Sequence, residues 1–318
     1  MNKAEIMVLT PVRSSIMPQL EERFDLLRAD KAGETTAEKE AFVTRHGANC
    51  RALLCSGNAE LTVAMLDAMP QLGHVSCLTA GYDGLPLREL AARGVTLSNT
   101  SPALRDDVAD MAILLMLAGK RDFVTAETYV RSGDWATKGM FPLQRSVSGK
   151  RLGIVGLGSL GQAVATRAQA FNMQVSYWNR REKNAPLRFH PDLIQLASES
   201  DVLIVTVAGG PETENLISAD VMQALGPDGL LVNISRGSVI DEPALIDALQ
   251  SGKLGAAALD VFASEPDPDP RLTALRNVTL SPHHASGTEE ARNAMAQLAV
   301  DNIFAFMDDK PLISPVSI

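Results

Sequence analysis

A glycine-rich segment that directly follows a strand-like apolar run restricts the fold of this chain more than any other feature. The run Arg151–Val155 leads into G-x-G-x-x-G, and a helical pattern of apolar residues starts inside that segment. In this context the glycines allow a tight turn, close approach of a pyrophosphate and close packing of helix on strand. The N–H groups at the start of the helix then bind phosphate, so the segment predicts a dinucleotide site. Its residues are Gly156, Leu157, Gly158, Ser159, Leu160 and Gly161.

Strand-like and helix-like runs alternate through the second half of the chain. Because parallel neighbouring strands need crossover connections, this alternation favours a doubly wound parallel α/β sheet with both faces covered. The link at residues 262–277 is predicted to be a loop rather than a helix. The predicted strands are Arg151–Val155, Gln174–Trp178, Val202–Val207, Leu230–Ile234, Gly255–Leu259 and Val278–Leu280.

The rest of the chain predicts a second, discontinuous domain. Residues 1–98 also alternate between strand-like and helix-like runs, a turn is predicted at 99–102, and residues 287–307 form a helical pattern that does not extend the second sheet. We infer that this last helix returns to pack on the first part of the chain. The prediction is therefore a Rossmann dinucleotide-binding domain of residues 99–286 and a flavodoxin-like substrate domain of residues 1–98 and 287–318.

The residues after the second predicted strand favour NADP(H) over NAD(H). Where NAD-binding versions carry an acid for the ribose 2′-hydroxyl, this chain has Asn179, followed by Arg180 and Arg181. An aspartate would repel a 2′-phosphate by about 4 kcal/mol per pair of unit charges at roughly 4 Å and an effective dielectric constant of about 20. Asparagine removes that repulsion, and guanidinium groups are the preferred phosphate clamp. Two adjacent arginines are also common in solvated turns, so NAD(H) remains possible.

Polar side chains follow the last three predicted strands, at the edge where ligands bind in an open α/β sheet. Arg236 follows the fourth strand, Asp260 and Glu265 follow the fifth, and His283 and His284 follow the sixth. A 2-oxo acid has a carboxylate to hold, a carbonyl to polarise and an oxygen to protonate. A guanidinium, a carboxylate and an imidazole are therefore the groups that its reduction requires.

Four ordered segments resemble the D-isomer-specific 2-hydroxyacid dehydrogenases, and within them the glyoxylate/hydroxypyruvate and hydroxyphenylpyruvate reductases. They are the glycine-rich loop, NISRGSVID at residues 233–241, ALDVF with the following Glu-Pro at residues 258–266, and LSPHHA at residues 280–285. The likeness extends from the AGYD loop at residues 80–83 to the C-terminal helix. The resemblance implies an enzyme that reduces glyoxylate, hydroxypyruvate or a similar small 2-oxo acid to the D-2-hydroxy acid. The residues after the second predicted strand make NADPH the expected cofactor.

The resemblance also implies a role for each polar residue. Arg236 would bind the substrate carboxylate and polarise the carbonyl, His283 would be the acid/base, and Glu265 would hydrogen-bond the imidazole. Asp260 would face the nicotinamide, and Ile234 would line its pocket. Hydride transfer to the carbonyl carbon would accompany proton transfer from His283 to the oxygen.

Simpler interpretations of these residues remain open at this point. Arg236 could tie the end of its strand to Glu265, and Glu265 could be an ordinary acid of a surface loop. His284 competes with His283, although the Ser-Pro-His frame favours His283.

Two loops of the first domain are predicted to contribute to substrate binding. Each follows a predicted strand and carries small residues that can expose backbone N–H groups to an anion. Asp83 is expected to cap its turn rather than touch substrate. The resemblance places Trp135 in the family's dimer segment, where a residue can close the partner subunit's pocket, and core packing is the alternative. The predicted substrate-binding residues are Ser56, Gly57, Ala80 and Gly81, together with Arg236 and His283.

Composition and charge exclude several partners. With 29 Lys+Arg against 38 Asp+Glu the net charge is −9, so the surface as a whole repels nucleic acid and anionic lipid. No apolar run is long enough for a membrane span. Three cysteines make a disulfide framework improbable and fit a cytoplasmic protein, and the spacing of cysteines and histidines matches no common metal site. A homodimer is the default assembly.

Two other functions remain open from the residues alone. A nucleotide-sensing interaction protein, similar to the family's corepressors, would use the same scaffold and could retain the three polar residues without turnover. A methyltransferase that used the glycine-rich loop would give Arg236, Glu265 and His283 no task. The sequence shows no basic face or disordered tail, and this favours the enzyme.

Overall fold

The computed structural model describes residues 3–318, so the first two residues of the predicted substrate domain lie outside the described part. The chain divides into two compact units, which we call unit 1 (Met1–Leu104 and Gly287–Ile318) and unit 2 (Arg105–Ser286). The division falls inside a long helix, whereas the predicted boundary at residue 98 lies before that helix.

Unit 1 begins with five strands, each followed by a helix, and the last of these helices continues into unit 2. Helix α5 begins inside the turn predicted at residues 99–102, because its first turn includes Ser101 and Pro102. The elements are β1 Ala4–Val8, α1 Met17–Arg23, β2 Phe24–Arg28, α2 Thr36–His46, β3 Ala52–Cys55, α3 Val63–Asp67, β4 His74–Cys77, α4 Leu87–Ala92, β5 Thr96–Ser98 and α5 Ser101–Arg121.

Unit 2 continues the alternation, and the chain then returns to unit 1. The predicted loop at residues 262–277 contains one short helix, α12. The elements are α6 Phe123–Arg131, α7 Asp134–Lys138, β6 Arg151–Val155, α8 Ser159–Ala170, β7 Gln174–Trp178, β8 Arg188–His190, α9 Leu193–Ser198, β9 Val202–Val205, α10 Ala219–Leu225, β10 Leu230–Asn233, α11 Glu242–Gln250, β11 Ala256–Leu259, α12 Pro270–Thr273, β12 Val278–Leu280, α13 Glu289–Met307 and β13 Pro315–Val316.

The sheet of unit 1 has the order β13-β5-β4-β3-β1-β2 among the described residues, and its strands are parallel except for β13. Its two faces bury different helices. On one face Ala299 and Ile303 of α13 pack with Ile6 of β1, and on the other face Met65 of α3 packs with Leu53 of β3. Burial on both faces explains why β3 and β4 are buried along their whole length.

The sheet of unit 2, residues 105–286, has seven parallel strands in the order β12-β11-β10-β9-β6-β7-β8. Strand β6 pairs with β7 on one side and with β9 on the other, so the strand order reverses there, and ligands bind at such a switch point. The predicted α/β class with parallel sheets is confirmed. The sequence predicted six strands for this sheet and missed β8, which has three residues at the sheet edge.

Across residues 3–318, no helix combines the length and the apolar character that a membrane span requires.

Candidate active site

The glycine-rich loop connects β6 to α8 and has the shape of a phosphate cradle. Gly156 has a φ of 103°, and a Cβ atom there would lie 2.7 Å from Cγ1 of Val207. A Cβ at Gly161 would lie 2.2 Å from the carbonyl oxygen of Gly156, so helix and strand pack too closely for a side chain. Gly158 differs from both, because no described atom lies within 4 Å of its ideal Cβ position. The loop therefore fits the pyrophosphate of a dinucleotide at Gly158, in front of the helix N-terminus.

Asn179 fixes the shape of this loop. Its Oδ1 accepts a hydrogen bond from the N–H of Leu157 at 2.7 Å, and Thr206 at the end of β9 donates its hydroxyl to the carbonyl of Gly156 at 2.6 Å. The side-chain oxygen of Asn179 thus belongs to the loop, while its Nδ2 remains a donor for a ribose or phosphate oxygen. The sequence did not predict this structural role.

Arg180 and Arg181 are both exposed after β7, next to Asn179. The guanidinium of Arg180 forms an ion pair with Glu212, whose loop follows β9, and both side chains are more than two-thirds exposed. The sequence predicted that both arginines would clamp a phosphate and missed Glu212. The signal was available in principle, because loops that follow neighbouring parallel strands meet at one edge of the sheet.

Asn233 at the end of β10 shapes the loop that presents Arg236. Its Nδ2 donates to the carbonyl of Arg236 at 2.9 Å, and its Oδ1 accepts from the N–H of Ser235 at 3.0 Å. The aliphatic stem of Arg236 lies against Gly209, where a Cβ would come within 2.6 Å of Cγ of the arginine. Ile234, which lies between Asn233 and Arg236 in the sequence, directly follows the strand and is buried. Gly209 was not predicted to matter.

Glu265 and His283 form a hydrogen-bonded pair. Glu265 Oε2 lies 2.6 Å from His283 Nδ1, and Glu265 Oε1 accepts from the N–H of Phe262 at 2.9 Å. Because Glu265 engages Nδ1, it favours the form of the ring with a proton there and leaves Nε2 for a substrate. The imidazole side chain is 49% exposed and can therefore be reached. The structure brings His283 rather than His284 to the carboxylate.

The loops that carry Arg236 and Glu265 touch each other through their backbones. A Cβ at Gly237 would lie 1.9 Å from the carbonyl carbon of Phe262, so only glycine fits there. Gly237 directly follows Arg236, and the N–H of Phe262 donates a hydrogen bond to the carboxylate of Glu265. Unit 2 therefore brings together the loops of the guanidinium, the carboxylate and the imidazole.

The carboxylate of Asp260 makes contacts within the protein that the sequence did not predict. Its carboxylate is buried, and both oxygens accept hydrogen bonds from the segment Ser281–Ala285, which carries His283. Contact of Asp260 with the nicotinamide remains a prediction. His284 donates its backbone N–H to Asp260, while the residue is exposed.

In unit 1, the predicted anion-binding role of Ser56 and Gly57 is wrong for their N–H groups. The N–H of Ser56 donates to Thr10 Oγ1 at 2.9 Å, and the N–H of Gly57 donates to Thr79 Oγ1 at 2.8 Å. Both donors are thus used inside the unit.

The loop after β4 carries Ala80 and Gly81, and its peptide groups are held in place. The carbonyl of Ala80 accepts from Asn99 Nδ2 at 2.7 Å, and the carbonyl of Gly81 accepts from the hydroxyl of Thr79 at 2.7 Å. Contribution of their N–H groups to substrate binding remains a prediction.

Trp135 lies on α7 with 63% of its surface exposed, so the alternative of core packing is wrong. Other large apolar side chains of unit 2 are exposed on the neighbouring helices and the segment that follows them. They are Leu114, Phe123, Val124, Val130, Met140 and Leu143.

Comparisons with known proteins point to one family. Residues 113–285 match the family model described as the NAD-binding domain of D-isomer-specific 2-hydroxyacid dehydrogenases. Hydroxyphenylpyruvate reductase of Plectranthus scutellarioides is 41% identical over 312 residues, which cover 98% of each chain. The 2-ketogluconate reductase of Gluconobacter oxydans is 43% identical over 267 residues, covering 84% of this chain and 86% of that protein. A crystal structure of NADPH-dependent glyoxylate/hydroxypyruvate reductase from Sinorhizobium meliloti, in complex with NADP and malonate, matches with a TM-score of 0.88 at 36% identity, covering 99% of this chain and 97% of that chain.

Proposed function

Because this chain belongs to the D-isomer-specific 2-hydroxyacid dehydrogenase family, we propose that it reduces a small 2-oxo acid to the D-2-hydroxy acid with NADPH. The observation that carries the proposal is the 2.6 Å hydrogen bond between Glu265 and His283, beside the loop of Arg236. Reduction of a 2-oxo acid gives each of these three groups a task. The relatives are reductases by name, so the alternative of a nucleotide sensor without turnover is not favoured.

In the proposed reaction Arg236 holds the substrate carboxylate and polarises the carbonyl. His283 gives the proton on Nε2 to the carbonyl oxygen, and Glu265 keeps the ring oriented through Nδ1 and stabilises its positive charge. NADPH, when bound, supplies the hydride that the carbonyl carbon receives. The loop that contains Gly156, Gly158 and Gly161 would hold its pyrophosphate at Gly158, where no described atom lies within 4 Å of an ideal Cβ position.

We propose that the cofactor is NADP(H) in preference to NAD(H). Residue 179 is an asparagine, so no negative charge opposes a 2′-phosphate there. The Nδ2 of Asn179, together with Arg180 and Arg181, offers donors to that phosphate. The NADPH-dependent relative with NADP bound supports this preference.

The substrate class follows from the relatives. Their names cover hydroxyphenylpyruvate, 2-ketogluconate, and glyoxylate with hydroxypyruvate, and all of these carry a 2-oxo acid group. We propose glyoxylate or hydroxypyruvate as the substrate type, with Ala80 and Gly81 contributing N–H donors to its carboxylate.

The proposal also covers organisation and assembly. Residues 1–98 with 287–318 would form the substrate domain, and residues 99–286 the dinucleotide-binding domain. The exposed apolar side chains around Trp135 support a homodimer formed through α5–α7, since apolar patches of this kind mark protein interfaces. The negative surface charge supports the expectation that nucleic acid is not a partner. Three buried free cysteines support a reducing, cytoplasmic location.

The test is a panel of 2-oxo acids assayed by nicotinamide absorbance with NADPH and with NADH. We expect turnover of glyoxylate or hydroxypyruvate, a higher kcat/KM with NADPH, and a loss of about 10²–10⁴-fold in kcat for His283→Ala with NADPH binding retained. The matched control is His284→Ala, which should keep its rate. Tight binding of NADPH without turnover of any panel member would contradict the proposal and favour the sensor.

A further inference from the structure

We propose that Asp260 is a positioning residue for His283, because its buried carboxylate holds the segment Ser281–Ala285 that carries the imidazole. This inference rests on the proposed function, in which His283 is the proton donor. It assigns to Asp260 a part in the geometry of the proton donor.

The contacts of Asp260 cover nearly the whole of this segment. Its Oδ1 accepts from the hydroxyl of Ser281 at 2.5 Å and from the N–H of His284 at 2.8 Å. Its Oδ2 accepts from the N–H of Ala285 at 2.9 Å. The backbone carbonyl of Asp260 accepts from the N–H of His283 at 2.8 Å. One residue thus binds the segment on both sides of the histidine.

Burial and a backbone hydrogen bond fix the position of Asp260 itself. Asp260 follows β11 directly, is 1% exposed, and donates its backbone N–H to the carbonyl of Asn233 at 3.0 Å. A buried carboxylate needs hydrogen bonds on both oxygens to offset its lost hydration, and three donors from one segment provide them. Separating the segment from Asp260 would leave that charge uncompensated, which makes the arrangement strongly preferred.

His283 needs such an anchor because its backbone is in an uncommon conformation. Its φ is 50°, in the left-handed region that residues with a Cβ rarely occupy. Such a conformation persists where the surroundings determine it from several sides. The four hydrogen bonds that Asp260 accepts do so, and they direct the imidazole to Glu265, whose Oε2 lies 2.6 Å from Nδ1. The exposed ring therefore takes its position from buried backbone contacts.

The isosteric substitution Asp260→Asn tests the inference. An amide has one acceptor oxygen, so its NH₂ group must face one of the three donors, and at least one hydrogen bond becomes a donor–donor contact. We expect kcat to fall about 10–100-fold. The Kd of NADPH, measured by fluorescence titration, should stay within about two-fold. In the cofactor-free protein, amide hydrogen exchange of the peptide that covers Ser281–Ala285 should accelerate at least about ten-fold.

The decisive comparison is a double-mutant cycle with His283→Ala. If Asp260 acts through His283, adding Asp260→Asn to His283→Ala should lower kcat by no more than about two-fold. A further loss in that background, together with a Kd for NADPH raised about ten-fold or more, would show that Asp260 serves the nicotinamide and would overturn the inference. Unchanged kcat and unchanged exchange in Asp260→Asn would overturn it as well.

Two further variants keep the test valid if Asp260→Asn folds poorly. Ser281→Ala removes one of the donors and should give the same effects at smaller size, again absent in the His283→Ala background. Asn302→Ala is the matched control in unit 1, because Asn302 is also buried and its Oδ1 accepts the N–H groups of Ile313 and Ser314. It should lower Tm and leave kcat within about two-fold.

Failure of this inference can be distinguished from failure of the proposed function. If the unmodified protein reduces no 2-oxo acid, the proposed function fails, while accelerated exchange of Ser281–Ala285 in Asp260→Asn still supports the anchoring of the segment.

Discussion

Acidification should destabilise unit 1 through one buried histidine. His74 begins β4, and the loop of Ala80 and Gly81 follows the end of that strand. Its Nδ1 lies 2.9 Å from Thr96 Oγ1, and its Nε2 lies 3.1 Å from Ser98 Oγ. Its ring stacks on that of Phe306 at a centroid distance of 5.2 Å. Two hydroxyl partners and an aromatic face suit a neutral imidazole and provide no counter-charge for a protonated one.

The magnitude follows from the pKa of His74. Burial lowers this pKa from 6.5 to about 4, against a smaller opposing effect of the hydrogen bond with Thr96. Because the folded pKa lies below the unfolded one, the stabilisation is complete above pH 6.5 and is lost as the pH falls from there through about 4. At about 1.4 kcal/mol per pH unit, the loss amounts to about 3 kcal/mol. That is a large part of the stability of an ordinary domain.

The assay uses the cysteines of unit 1 as reporters. Cys50, Cys55 and Cys77 are buried and free, so their reaction with 4,4′-dithiodipyridine, which works at acidic pH, reports the unfolding of unit 1 in urea. We compare the protein with the His74→Asn variant. Carboxylates that titrate in the same pH range contribute equally to the unfolding free energies of the two proteins, so their contribution cancels from the difference. The difference in unfolding free energy between the two should shrink by about 3 kcal/mol from about pH 7 to about pH 4. Parallel curves for the two proteins would refute the reasoning.

Three further predictions concern the cofactor loop. Asn179→Asp should raise KM for NADPH at least about ten-fold more than KM for NADH. An aspartate can keep the hydrogen bond with Leu157, but it adds a negative charge that repels the 2′-phosphate. Equal effects on both KM values would mean that residue 179 does not contact a 2′-phosphate. Glu212→Gln should lower KM for NADPH by up to about five-fold and leave NADH unchanged, since it releases Arg180 from an exposed ion pair; an equal change for both cofactors would contradict this. Gly158→Ala should weaken NADPH binding with an unchanged Tm, because its Cβ meets no described atom, whereas Gly161→Ala should lower Tm, because its Cβ would meet the Gly156 carbonyl at 2.2 Å. Similar Tm values for the two variants would argue against the cradle geometry.

Features carried by local pattern were predictable from the sequence, and features carried by distant contacts were not. The glycine-rich loop follows from one segment, and the strand-helix alternation gave the parallel α/β class. Strand β8 was missed because Arg188–His190 is too short to show a pattern. The ion pair of Arg180 with Glu212 and the contact of Gly237 with Phe262 join residues of different loops. Such pairs depend on which strands become neighbours, which local periodicity does not specify.

Asp260 and two other residues share a structural role that the sequence did not predict. Asn179 and Asp260 directly follow strands of unit 2, and Asn233 is the last residue of another. Each was taken as a ligand contact or passed over. In the structure each accepts backbone N–H groups of a loop at that edge. A side chain at the end of a buried strand is well placed for this, because the sheet fixes its position and the adjoining loops leave backbone groups without ladder partners. A side chain proposed to meet substrate, such as His283, can then stay exposed and still be fixed, because buried groups hold its backbone. A polar residue that directly follows a parallel strand is therefore better interpreted first as an anchor for the adjoining loops, and as a ligand contact only where its acceptors remain available.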